Sequence, residues 1–172
     1  MKLEYPSIQY KESYIEAVKE FQKEGRNPDV IIDDIENDFQ KFVDKFQNEA
    51  SGVNLKDGFV PQTTFWGIDE DEFIGTVSVR HFLNDHLQTY GGNIGYDVRP
   101  SKRKLGYGTQ MLKLVLPKAK ELGITKALLT CDSTNVASRK IIESCGGIFE
   151  NEVPTEKGKP TKLRFWIDLE KI

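Results

Sequence analysis

The sequence holds only two residues each of cysteine, histidine, methionine and tryptophan. With no CxxC pair and no histidine cluster, there is no ligand set for a metal site. Cys131 and Cys145 are too few for a disulfide framework, and reduced, buried thiols are expected. No apolar run approaches membrane-spanning length, and the opening MKLEYPSIQYKESY has no apolar leader core, so no membrane partner and a cytoplasmic location are expected. A net charge of −3 gives no field to draw in nucleic acid. No GxxxxGK[ST] occurs, and GYGTQM lacks the third glycine of a dinucleotide fingerprint. There is no internal repeat, low-complexity tract or linker.

What is present is an ordinary globular balance, 38% apolar and 30% charged over 172 residues. It predicts one domain over 1–172, with a helical part over 1–60 and a sheet-bearing part over 61–172. KLEY (2–5) is a candidate short strand. Ile15, Val18 and Phe21 mark a helix over 11–24, closed by GRNP. Ile35, Phe39, Phe42, Val43 and Phe46 make an apolar stripe on a second helix over 35–48. QTTFWGI (62–68) and FIGTVSVRHF (73–82) read as a hairpin around DEDE, with 83–92 as a connecting loop. A helix from Thr109 to Leu122 contains Pro117, which predicts a kink or a lost hydrogen bond near Lys113. KALLTC (126–131) reads as a central strand, VASRKIIESC as a helix, and IFENEV (148–153) with TKLRFWIDL (161–169) as a final hairpin. The strand–helix–strand unit in the middle implies a parallel pair with a right-handed crossover.

The chemistry concentrates in Asn93–Thr109. Ile94, Tyr96 and Val98 alternate with Gly95 and Asp97 as a half-buried strand, and Pro100 ends it. Arg103, Gly106 and Gly108 then lead into a helix. Strand, glycine loop and helix N-terminus together present backbone N–H groups to an anion such as a pyrophosphate. The same glycines would also serve a plain turn.

Arg103-x-x-Gly106-x-Gly108, followed by the strand ALLTC, then Asn135-x-x-Ser138 opening a helix closed by Gly146-Gly147, resembles the GNAT superfamily of N-acetyltransferases. The likeness covers roughly 72–170. It implies an α/β (α+β) fold: a mixed, mostly antiparallel central sheet with a splayed parallel strand pair and helices on both faces. It implies acetyl-CoA as cosubstrate, its pyrophosphate on the amides of Arg103, Lys104, Leu105, Gly106, Tyr107, Gly108 and Thr109. Side-chain charge would come from Lys102, Arg103 and Lys104, although Lys102 and Lys104 also read as solvated surface charges. Pantetheine would pair with the opened backbone at Tyr96 and Val98, where a free N–H would polarise the thioester. Asn135 and Ser138 would touch pantetheine or phosphate, although Asn135 also reads as a helix N-cap and Ser138 as a surface serine.

One departure stands out. The tyrosine that in the family often protonates the leaving thiolate falls at Ile142, which has no proton to give. Candidate bases for an amine acceptor are His81, Asp97 and Glu143, with His81 and Asp97 carried forward as catalytic candidates. Cys131 reads as a core thiol. The implied activity is direct acetyl transfer from acetyl-CoA to a primary amine of a small molecule or peptide, with a homodimer open. The alternatives are a non-catalytic acyl-CoA-binding sensor, or an interaction protein that has lost the cofactor site. The acceptor is expected near the N-terminal helices and the 83–92 loop. The acidic run Asp29–Asp38 reads first as a solvated helix entrance and second as a feature favouring a cationic amine, and Trp66 and Tyr90 are candidates to line the pocket or, for Trp66, to fill the core.

Overall fold

The computed structural model describes residues 1–172. The chain runs β1 (Lys2–Glu4), α1 (Lys11–Lys23), α2 (Ile32–Asn37), α3 (Phe39–Ala50), β2 (Gln62–Asp69) and β3 (Glu72–Arg80). It continues through β4 (Ile94–Val98), α4 (Tyr107–Glu121), β5 (Lys126–Asp132), α5 (Val136–Ser144), β6 (Ile148–Val153) and β7 (Lys162–Asp168).

The strands form two antiparallel sheets, β1-β2-β3-β4 and β5-β7-β6. The final hairpin therefore folds back so that β7 lies between β5 and β6. Strands β4 and β5 are the expected splayed pair, with no ladder between them. The two strands meet only at one end, where buried Asn93 donates its N–H to the Leu128 carbonyl at 2.7 Å and accepts the Leu128 N–H on Oδ1 at 2.9 Å. Its amide nitrogen also donates to the Arg80 carbonyl at 3.3 Å. One asparagine thus replaces a ladder bond on each side, and beyond it the strands share no ladder.

Strand alternation sorts side chains to two cores. Phe65, Val77 and Val79 join Met111, Leu112, Val115 and Leu116 of α4 in the larger one. Trp66, Ile68 and Phe73 join Phe21, Ile35, Phe39 and Val43 of α1–α3 in the other. Helices therefore cover both faces of the first sheet, and each fully buried leucine or valine contributes about 1.5–3 kcal/mol. In the second core Tyr14 stacks on Trp66 at 4.7 Å and 11°.

Two expectations are corrected. The helix over 35–48 is two helices, because Asp38 leaves helical geometry (φ −143°, ψ 73°) and its carboxylate caps the Lys41 N–H at 3.0 Å. The 83–92 connection holds a short wide turn, Leu87–Gly91, rather than only loop. Helix α4 continues through Pro117, which has no N–H to give to the Lys113 carbonyl, so the expected hydrogen bond is lost there. No helix is long and apolar enough to cross a membrane.

Candidate functional site

The hydrogen bonds flanking β4 fix which way its backbone faces. The Arg80 N–H donates to the Asn93 carbonyl and the Arg99 N–H to the Ile74 carbonyl, both at 2.8 Å. An antiparallel ladder repeats every two residues, so odd-numbered residues of β4 bond β3. The main-chain groups of Tyr96 and Val98 turn toward β5, where no ladder meets them. The Val98 carbonyl is taken by Arg103 Nε at 3.2 Å. On the other side of the opening, Leu128, Thr130 and Asp132 face back by the same argument. Thr130 Oγ1 donates to the Tyr90 carbonyl at 2.7 Å, which seats Tyr90 against β5.

At the far end of the opening lies an anion cradle. The backbone N–H groups of Lys104, Leu105, Gly106, Tyr107, Gly108 and Thr109 make no hydrogen bond. Six consecutive donors left open at the N-terminus of a 15-residue helix form a concave, positively polarised surface that fits a diphosphate. Gly106 sits at φ +84°, a conformation that favours glycine. At Gly108 a Cβ would fall 2.8 Å from Ile141 Cδ1, so the glycine leaves room for this side-chain tip of α5 against α4. The Tyr107 hydroxyl donates to Asp69 at 2.7 Å and ties the cradle to the end of β2.

The cations beside the cradle are already engaged. Arg99, only 8% exposed, bonds Glu20 at 2.7 Å and Glu72 at 3.0 Å. Lys102 Nζ lies 2.5 Å from Glu72, and Arg103 pairs with Glu24 at 2.8 Å. The Ser101 N–H donates to Glu20 at 2.9 Å. Burial alone would raise the Glu20 carboxyl, but the Ser101 backbone and side-chain hydrogen bonds and then Arg99 outweigh it, and its pKa sits below the ordinary carboxylate value. The spacing Glu20, Glu24 puts both carboxylates on one side of α1. Helix α1 thus straps the loop, a function that the sequence showed only as two glutamates four apart.

The remaining candidates are distributed unevenly. Asn135 caps α5, its Oδ1 accepting the Ser138 N–H at 3.0 Å. The Tyr96 hydroxyl reaches Ser138 Oγ at 3.0 Å. Ile142 is fully buried. Asp97 points to the face opposite Tyr96 and Val98 and is held by both nitrogens of Arg26, at 2.8 and 2.5 Å. His81 lies just past β3, near the closed end of the opening, with Nε2 2.8 Å from Thr63 Oγ1. Burial pushes its pKa down, so the ring is neutral near pH 7. Glu143 pairs with Arg139 on the α5 surface at 2.9 Å. Trp66 is fully buried in the aromatic core rather than lining a pocket. Cys131 and Cys145 are free thiols, and burial raises both.

A family model described as "Acetyltransferase (GNAT) domain" matches residues 16–148. No curated protein matches the chain. Among solved structures, the microcin C7 self-immunity acetyltransferase MccE, in complex with acetyl-CoA and AMP, superposes with a TM-score of 0.68 at 17% identity, covering 96% of this chain and 91% of that one. RimL, a ribosomal L7/L12 alpha-N-protein acetyltransferase in complex with coenzyme A, gives 0.71 at 13%, covering 96% and 92%. A chimera of the Vibrio cholerae spermidine N-acetyltransferase SpeG and hSSAT gives 0.66 at 16%, covering 99% and 96%. At these identities the likeness establishes the fold. The family match spans most of the chain, including the open strand β4 and the cradle: the protein belongs to the GNAT acetyltransferases, acetyl-CoA-dependent enzymes that carry an acetyl group to an amine.

Proposed function

We propose that the acceptor is a primary amine of a small molecule or peptide, which attacks the thioester of acetyl-CoA directly in a ternary complex in the cytoplasm. The observation that carries the cosubstrate half of this reading is the run of six open N–H groups from Lys104 to Thr109 beside the unpaired edge of β4. The cradle amides take the diphosphate, and the Tyr96 and Val98 main-chain groups pair with pantetheine. The Tyr96 N–H is the fixed donor for the thioester oxygen, where a preorganised hydrogen bond stabilises the developing oxyanion. Asn135 and Ser138 border the same opening.

Residues 1–60 supply the acceptor side, and Asp97 faces that side. An alkylammonium must lose a proton before it attacks, and Asp97 and His81 are the candidate bases. A route through His81 needs bridging water, since its Nε2 is engaged by Thr63. RimL and SpeG are acetyltransferases with different named substrates, a ribosomal protein alpha-amino group and spermidine, which supports an amine without choosing one. A homodimer would have the open edge of β6, with exposed Ile148 and Phe149, available as an interface.

Calorimetry with acetyl-CoA, followed by CoA-thiol release across a panel of polyamines, amino acids and peptides, tests the reading. Binding with turnover of at least one amine is expected. Binding without turnover on any amine would instead favour the sensor reading, which buried, non-protic Ile142 motivates. Absence of binding would overturn both.

A further inference from the structure

Of the six arginines, five are ion-paired with carboxylates, and Arg80 alone is not. It ends β3, on the face that carries Thr76 and Ser78. Its Nη1 donates to the Gly91 and Gly92 carbonyls, at 3.4 and 3.1 Å, while Nε and Nη2 make no hydrogen bond. The side chain is partly buried, and burial pushes its pKa down with no carboxylate near enough to oppose it. Arginine keeps its charge at neutral pH, so a cation here is partly withdrawn from water without a counter-ion. The guanidinium lies across β4. A Cβ built on Gly95 would fall 3.6 Å from Nη1 and 3.8 Å from Nη2, so the guanidinium rests on the bare face of this glycine. Asp97 shares that face, about 7 Å further along the strand. Ser78, directly opposite Gly95, and Thr64, bonded to Ser78 at 3.1 Å, extend the same polar floor. Next to Gly95 is Tyr96, the proposed donor to the thioester oxygen. An anion on Arg80 and an acetyl carbon at Tyr96 are therefore separated by only a short span of substrate.

We propose that Arg80 binds the carboxylate of the acceptor, and that the acceptor is an α-amino acid, whose amine and carboxylate are joined through one carbon; this rests on the acetyl-transfer reading above. Nε and Nη2 present two parallel N–H donors, the fork that a carboxylate accepts bidentately. The Gly91 and Gly92 carbonyls hold the guanidinium by its other nitrogen and fix its orientation. Asp97, on the same face, offers a negative pole to the ammonium that the amino acid carries before it is deprotonated.

The test uses acceptors that differ only at the carboxylate: an α-amino acid, its carboxamide, and the amine left by decarboxylation. Hydrogen bonds to a charged group shift binding by about 10- to 100-fold, so wild type should favour the acid over the carboxamide by that factor in kcat/KM, chiefly through KM. In Arg80→Gln the preference should vanish, and in Arg80→Lys, which keeps the charge but not the fork, part of it should survive. A role confined to holding the turn at Gly91 and Gly92 would instead lower kcat/KM for acid and carboxamide alike, and an unmoved ratio in Arg80→Gln overturns the proposal. Wild type supplies a readout that needs no variant. The carboxylic acid lacking the amine should inhibit competitively against the acceptor, and the amide of that acid should not. Equal turnover of acid and carboxamide by wild type, or preferred turnover of polyamines or peptide amides, overturns the carboxylate site and leaves acetyl transfer intact. No turnover by wild type on any amine removes the acetyl-transfer reading and the carboxylate site together.

Discussion

Two adjacent stretches of one loop are built in opposite ways. From Arg99 to Arg103 the charged side chains and the Ser101 N–H are bonded to carboxylates of α1 and β3. From Lys104 to Thr109 every backbone donor is open. The first stretch is a fastening, the second the proposed receptor. Arg103 is occupied in holding the loop, while the backbone amides that follow it stay open. A buried guanidinium between two carboxylates fixes geometry, and unpaired N–H groups at a helix start offer the anion an already oriented dipole.

Breaking the fastening has the largest expected effect. Arg99→Met leaves Glu20 and Glu72 facing each other without their shared cation. Removing one partner of a largely buried ion pair costs about 3 kcal/mol, read as a lower urea midpoint at pH 7. The sign of the pH dependence follows from Glu20, whose folded pKa is depressed. Its stabilisation is present above the unfolded value, roughly 4.3, and is lost as pH falls through the folded value. The gap between wild type and Arg99→Met should therefore narrow below about pH 4. A gap that stays constant down to that range would show that the strap is not electrostatic.

Distorting the receptor comes next. Gly106→Val forces a β-branched residue to φ +84°. Holding the cradle then costs about 1–3 kcal/mol of backbone strain, equivalent to roughly 5- to 150-fold in acetyl-CoA affinity. Calorimetry should record that loss with the urea midpoint less affected than in Arg99→Met. The reverse ranking would mean that the glycine serves the loop and not the ligand.

A smaller change sharpens the same comparison. Glu24→Gln releases Arg103 from its 2.8 Å partner without altering side-chain shape much. The freed guanidinium can add a charge-assisted bond to a phosphate, so acetyl-CoA should bind about two- to fivefold tighter at low salt, with the gain fading at high salt. No change would place Arg103 wholly in the fastening. The smallest effect is expected from Arg26→Ala, because the Arg26–Asp97 pair is half exposed and such pairs contribute little to stability. Its urea midpoint should match wild type, while KM for a cationic amine falls if Asp97 faces the acceptor. An unchanged KM across cationic amines would remove Asp97 from the acceptor site.

Much of the site was legible in residue order. Gly106, the strand around Tyr96, and Asn135 with Ser138 lie on the predicted elements, because glycine at positive φ, β alternation and helix capping are local preferences. The short strand at KLEY and the core role of Ile35, Phe39 and Val43 were legible for the same reason. The break at Asp38 escaped a reading by periodicity, since the apolar stripe continues across it. Two facts about the glycines and cations also escaped: that Gly108 makes room for Ile141, and that Arg103 pairs with Glu24, 79 residues earlier. Such partners lie far apart in sequence, and no local preference encodes them.

The amino-acid sequence by itself determined the family, the elements and the loop that can cradle a diphosphate, since these rest on short-range backbone chemistry. The tertiary structure alone decided the rest. It placed Asn93 as the single join between β4 and β5, left the Tyr96 backbone facing β5 without a ladder, drew α1 over the loop, and brought the Tyr96 hydroxyl to Ser138. Each of these depends on which sheet edge stays open, and that is set by how the whole chain packs.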